Sequence, residues 1–364
     1  MRPGATRPGG LRIIRADLSP AFLRRFAALA LLAVAPALLA EGDSPVPDPR
    51  PNIWIEGIAT GFIPLQKGES TKADLWYAAT GGDYSRETWG AKAELRGTPG
   101  GFRPYYATPV WFQEVTAFLA TPVGQVRAGL TERAFGLPDD TFSGTLLSDN
   151  GVTRSPFWGV SVSGEERIGY DSLLWAARWD GIGPRAGSWE ETGRGAASDP
   201  SASRVEGASA RVAYLFYKGL LTFRPSLSGE TIRIAFDDGR PGFRLNDLSV
   251  EMTLTAGPLA LMAQLFLRGG ERRPPGSILD LAYDSARAGL VEFRAEFPTV
   301  VYRVVWSQWS YLGAEAREWL LQPAVVWMPR KGIEATIEYL VRRFSGSQGP
   351  VSGDAFRLGF GLKF

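Results

Sequence analysis

Residues 356–364 read FRLGFGLKF. Every second residue, Phe356, Leu358, Phe360, Leu362 and Phe364, is apolar, and Arg357, Gly359, Gly361 and Lys363 between them are polar or small. A period of two marks a β-strand whose faces meet different surroundings. In a soluble domain such a strand would lie on a core and fray at its last residue. In a membrane barrel its apolar face meets lipid, and the strand itself closes the sheet.

The same alternation recurs upstream. Leu248, Val250, Met252 and Leu254 oppose Ser249, Glu251, Thr253 and Thr255. Gly289, Val291, Phe293, Ala295 and Phe297 oppose Glu292, Arg294 and Glu296; Ile333, Ala335, Ile337, Tyr339 and Val341 oppose Glu334, Thr336, Glu338 and Arg342. From Asn52 onward the pattern predicts sixteen strands, the first over 52–63 and the last over 354–364. The segments 109–120 and 168–179 carry bulky residues on both faces. Tight connections such as TPVG, KG, AGP and FPT alternate with long ones at 134–155, 180–205 and 269–285. Short turns at one end and long loops at the other are the signature of a transmembrane barrel, and strands of about ten residues cross a bilayer when tilted. A soluble sandwich gives no reason for one end to be systematically longer. The expected fold is all-β, a transmembrane antiparallel up-and-down barrel of sixteen strands over 52–364.

Composition narrows the chemistry. The 364 residues are 45% hydrophobic and 21% charged, values of a folded protein. Past residue 40 no apolar run reaches the length of a membrane-spanning helix. There is no Cys and no His. Disulfides, thiolate and His metal sites, covalent c-type haem and the usual His-dependent hydrolase sites are therefore absent. No phosphate-loop, dinucleotide or calcium-hand motif is present, so neither a cofactor nor an enzymatic role is expected.

Residues 1–40 read as a signal peptide: Arg24 and Arg25 precede FAALALLAVAPALLA (26–40), broken by Pro36, with cleavage expected after Ala40. Residues 41–51, EGDSPVPDPRP, read as a Pro-rich linker. The leader holds six of the 40 basic and one of the 38 acidic residues, leaving 34 basic and 37 acidic. The chain's positive charge thus belongs to the leader and implies no nucleic-acid partner.

A charge facing lipid at mid-bilayer costs roughly 2–4 kcal/mol, so the charged face of each strand must look inward. Sixteen strands enclose more space than side chains fill, which predicts a hydrated channel rather than a packed core. Inward-facing cations are then Lys92, Arg96, Arg127, Arg211, Arg224, Arg268, Arg294, Arg303, Arg342, Arg357 and Lys363. The inward acids are Glu94, Glu251, Glu292, Glu296, Glu334 and Glu338. The surplus of cations predicts a weak anion preference. Trp54, Trp89, Trp158, Trp319 and Trp327 fall near strand ends, where indoles suit the headgroup layer.

A leader, alternating strands and a last strand ending in Phe resemble Gram-negative outer-membrane proteins. The stretch GQVRAGLTERAFGLPDD (124–140) resembles the fifth-strand segment of sixteen-stranded porins, particularly the phosphate-selective porin O and P type. LQPAVVWMPRKGIEATIEYLVRR (321–343) is similar to their penultimate hairpin. The resemblance implies an outer-membrane channel for passive diffusion of small hydrophilic solutes or ions, with Phe364 as part of the signal to the barrel assembly machinery. It also implies contact with outer-membrane lipid and lipopolysaccharide and allows a homotrimer. The loop 134–155 would fold into the barrel, placing Asp139, Asp140 and Asp149 across a constriction from Arg127 and Arg133, a field that screens polar solutes. Lys92, Arg211, Arg294, Arg303 and Arg342 would line the lumen. An alternative is a barrel that sheathes a periplasmic or electron-carrying partner without free diffusion.

Overall fold

The computed structural model describes residues 52–65, 71–97, 110–131, 135–137, 157–181, 202–236, 239, 242–270, 285–312, 316–346 and 351–363. The leader 1–40 and the linker 41–51 lie outside the described residues.

Sixteen strands form in order: β1 (Asn52–Pro64), β2 (Lys72–Ser85), β3 (Trp89–Gly97), β4 (Val110–Thr121), β5 (Gly124–Thr131), β6 (Phe157–Ile168), β7 (Asp171–Asp180) and β8 (Ala202–Lys218), then β9 (Leu221–Phe236), β10 (Phe243–Ala256), β11 (Leu259–Gly270), β12 (Ala286–Glu296), β13 (Val300–Tyr311), β14 (Ala316–Arg330), β15 (Ile333–Ser345) and β16 (Val351–Lys363). Each pairs antiparallel with its neighbours in sequence, and β1 closes the ring on β16. No helix occurs among the described residues. Closure removes every sheet edge and satisfies the backbone without water, the condition for crossing lipid.

The strands joined at one end are separated by only two or three residues, as at 122–123, 169–170, 219–220 and 331–332. Gly219 and Gly257 open two such turns with φ of 62° and 58°, a conformation open to glycine at no steric cost. At the opposite end the connections run as long as 132–156 and 181–201. These are called the turn end and the loop end below.

Several strands outrun the sequence-based bounds. β2, expected over 72–80, continues to Ser85, and β6, expected over 156–165, continues to Ile168, while β8, expected over 206–217, begins at Ala202. The extensions carry Gly81, Gly82 and Asp83, or Glu166 and Arg167, where no lipid face is needed and the alternation therefore fades.

The two faces are segregated as the alternation predicts. Leu265 is 68% exposed on the outside, whereas its neighbour Gln264 is 2% exposed on the inside. Likewise Ile337 looks out, and Glu338, beside it, is fully buried within. Apolar side chains outside and polar ones inside invert the arrangement of a soluble protein and suit hydrocarbon outside and water within.

Trp54 departs from the expected headgroup belt. It shares the inward face with Glu56, is 9% exposed, and lies under the Lys363 ammonium, 4.6 Å from the ring centroid. Gly81, its register partner, makes the room: a Cβ there would stand 2.4 Å from the indole. Its strand-end position is shared with the lipid-facing tryptophans, but its parity along β1 is not. Trp327, by contrast, is outward and exposed.

Candidate functional site

The inner face is a set of rows, because residues in register on adjacent strands share a face. One row runs Arg178, Ser209, Glu230, Asp247, Arg268 from β7 to β11. Another runs Arg294, Arg303, Ala324, Glu338, Arg357 from β12 to β16. Opposite charges on neighbouring strands stabilise such a sheet, and buried charges require partners.

The lumen-lining residues expected from sequence have the following partners. Lys92 Nζ meets Glu114 at 2.6 Å. Arg211 Nη2 meets Glu251 at 3.1 Å and donates to Ser226 Oγ at 3.1 Å. Arg294 pairs with Glu292 at 2.6 Å and Glu296 at 3.2 Å. Arg342 pairs with Glu318. Arg303 is buried in the row between Arg294 and Ala324. Arg127 is inward and exposed, with its Nε donating to Gln125 Oε1 at 2.6 Å. Arg133, Asp139, Asp140, Asp149 and Phe364 lie outside the described residues.

The surplus of inward cations read from the sequence does not survive the register. Glu56, Asp83, Glu114, Glu165, Asp180, Glu230, Asp247 and Glu318 also face inward, against Arg167 and Arg178 on the basic side. Lys363 sits 3.5 Å from Glu56, Arg178 pairs with Asp180, and Arg268 meets Asp247 at 2.7 Å. Asp247 and Arg268 lie on different strands, so only cross-strand register reveals them as a pair. Among the described residues no group of three or more carboxylates could hold a metal ion.

One part of the wall breaks the polar rule. Phe243, Leu245, Phe266, Leu290, Val305, Trp309 and Leu320 all face inward from β10–β14 and are buried. Phe135 packs edge-on against Phe266, with ring centroids 6.2 Å apart, and Phe266 in turn lies 5.3 Å from Trp309. Arg268 covers both Phe266 and Trp309, 5.3 and 5.6 Å from their centroids. The Gly136 amide donates to Ser228 Oγ at 3.1 Å, and the Leu137 amide donates to Gln264 Oε1 at 3.4 Å. Those acceptors are held in turn: Ser228 donates to Glu251 at 2.5 Å, and Gln264 Nε2 donates to Ser249 Oγ at 2.9 Å. Their strands, β9 and β11, lie four and six places around the ring from β5. Phe135–Leu137 are therefore held on the inner face of β9 and β11, away from β5, the strand that precedes them.

No protein-family model and no curated protein matches the sequence. Solved structures do. The OmpF of Salmonella typhi in complex with daunomycin superposes with a TM-score of 0.62 at 14% identity, covering 87% of this chain and 98% of that one. The fold is that of the outer-membrane porins. The outer-membrane channel DcaP of Acinetobacter baumannii matches at TM-score 0.60 and 11% identity, over 86% and 97% of the two chains. An anion-selective porin from Comamonas acidovorans matches at TM-score 0.60 and 13% identity, over 86% and 100%. At such identities the likeness speaks for architecture, and side-chain chemistry has to be argued from this chain alone.

Proposed function

We propose that the protein is an outer-membrane channel through which small hydrophilic solutes diffuse passively. The supporting observation is the inverted barrel: lipid-compatible outside, ion-paired inside, with a chain segment narrowing the lumen. Residues 1–40 serve as an export leader, and Phe364 as part of the assembly signal; Phe364→Ser lowers barrel yield in cells, and an unchanged yield removes that role. The segment 134–155 forms the constriction, with Asp139, Asp140 and Asp149 facing Arg127 and Arg133. Kinship with the porin O and P type rests on the resemblance of 124–140. Because charges along the described wall are largely paired, any anion preference is weak and comes from Arg127 and Arg133.

The outer surface supports a homotrimer. Gly57, Ala59, Gly61, Ala91, Ala93, Ala117 and Ala128 form a band of small residues on the outward face of β1, β3, β4 and β5, flanked by the exposed Ile53, Ile55, Phe112 and Leu119, whereas β10–β16 present Leu, Val, Phe, Trp and Ile throughout. Small residues allow close backbone approach within a membrane.

The test is swelling of liposomes containing the purified protein in neutral sugars of graded size. Swelling that falls with sugar size supports diffusion. No swelling with any sugar would favour a sheath for a partner.

A further inference from the structure

Glu251 lies between the two anchors of the Phe135–Leu137 segment. On β10 it is in register with Gln264 of β11 on one side and with Ser226 of β9, two residues from Ser228, on the other. It is 2% exposed, so both of its oxygens need partners. Oε1 accepts from Ser228 Oγ at 2.5 Å. Oε2 accepts from Ser226 Oγ at 2.5 Å and faces Arg211 Nη2 at 3.1 Å.

Chemistry fixes the direction of each bond. A backbone N–H only donates, so Ser228 accepts from Gly136 and sends its single proton to Glu251. A guanidinium also only donates, so Ser226 accepts from Arg211 at 3.1 Å and likewise sends its proton to Glu251. Among the described residues, every partner of Glu251 is therefore a donor. The network is complete only when both oxygens of residue 251 accept. A carboxylate does this, and an amide of the same shape does not. The carbonyl of a glutamine at 251 is drawn to the Arg211 guanidinium, which leaves the NH2 against Ser228. The Ser228 proton then has no acceptor, and the hydroxyl is free to turn it toward the Gly136 N–H, where two donors meet. The consequence of one charge on β10 thus reaches the chain segment through a single hydroxyl.

We propose that Glu251 is a positioning residue for the segment that narrows the lumen. It orients the Ser228 hydroxyl so that a lone pair holds the Gly136 amide, and so sets how long the segment stays docked. It acts through Ser228 and needs no contact with a solute. The proposal deepens the diffusion reading, on which its consequence for current rests.

The test reads docking without current. Ala288 is 8% exposed and belongs to the same buried cluster as Phe135. The chain has no cysteine of its own, so A288C gives one thiol beneath the segment. Its rate of labelling by a small maleimide follows the released fraction when release and return are fast. E251Q should raise that rate at least about fivefold, the worth of one amide hydrogen bond. E251D keeps two accepting oxygens and loses volume, and should raise it less than E251Q, which keeps the volume. In an S228A background E251Q should add nothing, because the hydroxyl it acts through is gone. R211M/E251L replaces the buried pair with apolar groups, a change barrels tolerate better than a lone buried charge, and should also raise the rate about fivefold. Heat-dependent gel mobility confirms that each variant is a folded barrel. Equal rates for E251Q and its parent overturn the proposal. So does a faster rate for E251D than for E251Q, the mark of a packing role, or an E251Q effect that survives undiminished in S228A. If E251Q does not fold, an unchanged rate in R211M/E251L overturns it instead. Currents recorded on the same samples keep the two ideas apart: steady currents with labelling indifferent to residue 251 defeat this proposal alone, and responsive labelling without current defeats only the diffusion reading.

Discussion

Phe135 and Leu137 should act as a latch, and truncating both should release it. They are 5% and 4% exposed, Phe135 against Phe266 and its neighbours and Leu137 beside Gln264, which accepts a bond from its amide. Burying each side chain is worth about 1.5–3 kcal/mol. The amide bonds to Ser228 and Gln264 add about 1 kcal/mol each. Phe135→Ala with Leu137→Ala removes most of the apolar part, about 3–6 kcal/mol, and leaves the two amide bonds. At 1.4 kcal/mol per decade, that shifts the docked-to-released ratio by a factor of about 100 to 10,000. The bonds that remain are too few to offset the entropy of ordering the segment, so it should leave the wall for a large part of the time. The ladder closing β1 on β16 is untouched, so the barrel should stay heat-modifiable on a gel. In planar bilayers the double variant should show larger single-channel steps and added current noise. Unchanged step size together with unchanged noise would refute the latch.

The inversion of faces predicts a parity effect. Leu265→Arg, on the lipid face of β11, should cost about 2–4 kcal/mol of barrel stability by urea titration, and Gln264→Arg, one residue away, should cost less through lipid. Equal costs would contradict the assigned faces. Arg268→Ala strands the buried Asp247 carboxylate and should cost about 3–5 kcal/mol; adding Asp247→Ala should recover a substantial part, and strict additivity would show the pair to be uncoupled. Reversing Arg127 and Arg133 to Glu should move the reversal potential in a salt gradient toward cations, most at low salt where screening is weakest. An unmoved potential places the constriction elsewhere.

The fold was legible because a lipid-facing strand writes its environment into every second residue. That is why Leu248–Leu254 and Phe356–Leu362 could be assigned a face without coordinates. What covers the inner face was not legible. Phe266 and Trp309 are in phase with the inward residues Gln264 and Ser307, yet they are buried beneath Phe135, about 130 or more residues earlier in the chain. Period-two reading gives the side a residue faces and is silent on contacts across the lumen. The same limit hid the acids. Asp247 is the partner of Arg268 only because β10 and β11 pair in one register, and Glu114 meets Lys92 across a bulged ladder. Trp54 shares a strand-end position with the lipid-facing tryptophans, but its parity, marked by Glu56 two residues on, puts it on the inward face. The Phe135–Leu137 segment was expected to turn inward from the resemblance of 124–140, whereas its anchors Ser228 and Gln264 carry no local signal.

The central claim is an open, hydrated path through a closed barrel whose width is limited by a chain segment fastened inside. Single-channel recording of the purified, heat-modifiable protein in a pure phospholipid bilayer tests it most directly. The account predicts discrete, steady current steps whose size scales with salt concentration. A protein that is folded and inserted, yet passes no current at any salt concentration, would contradict it.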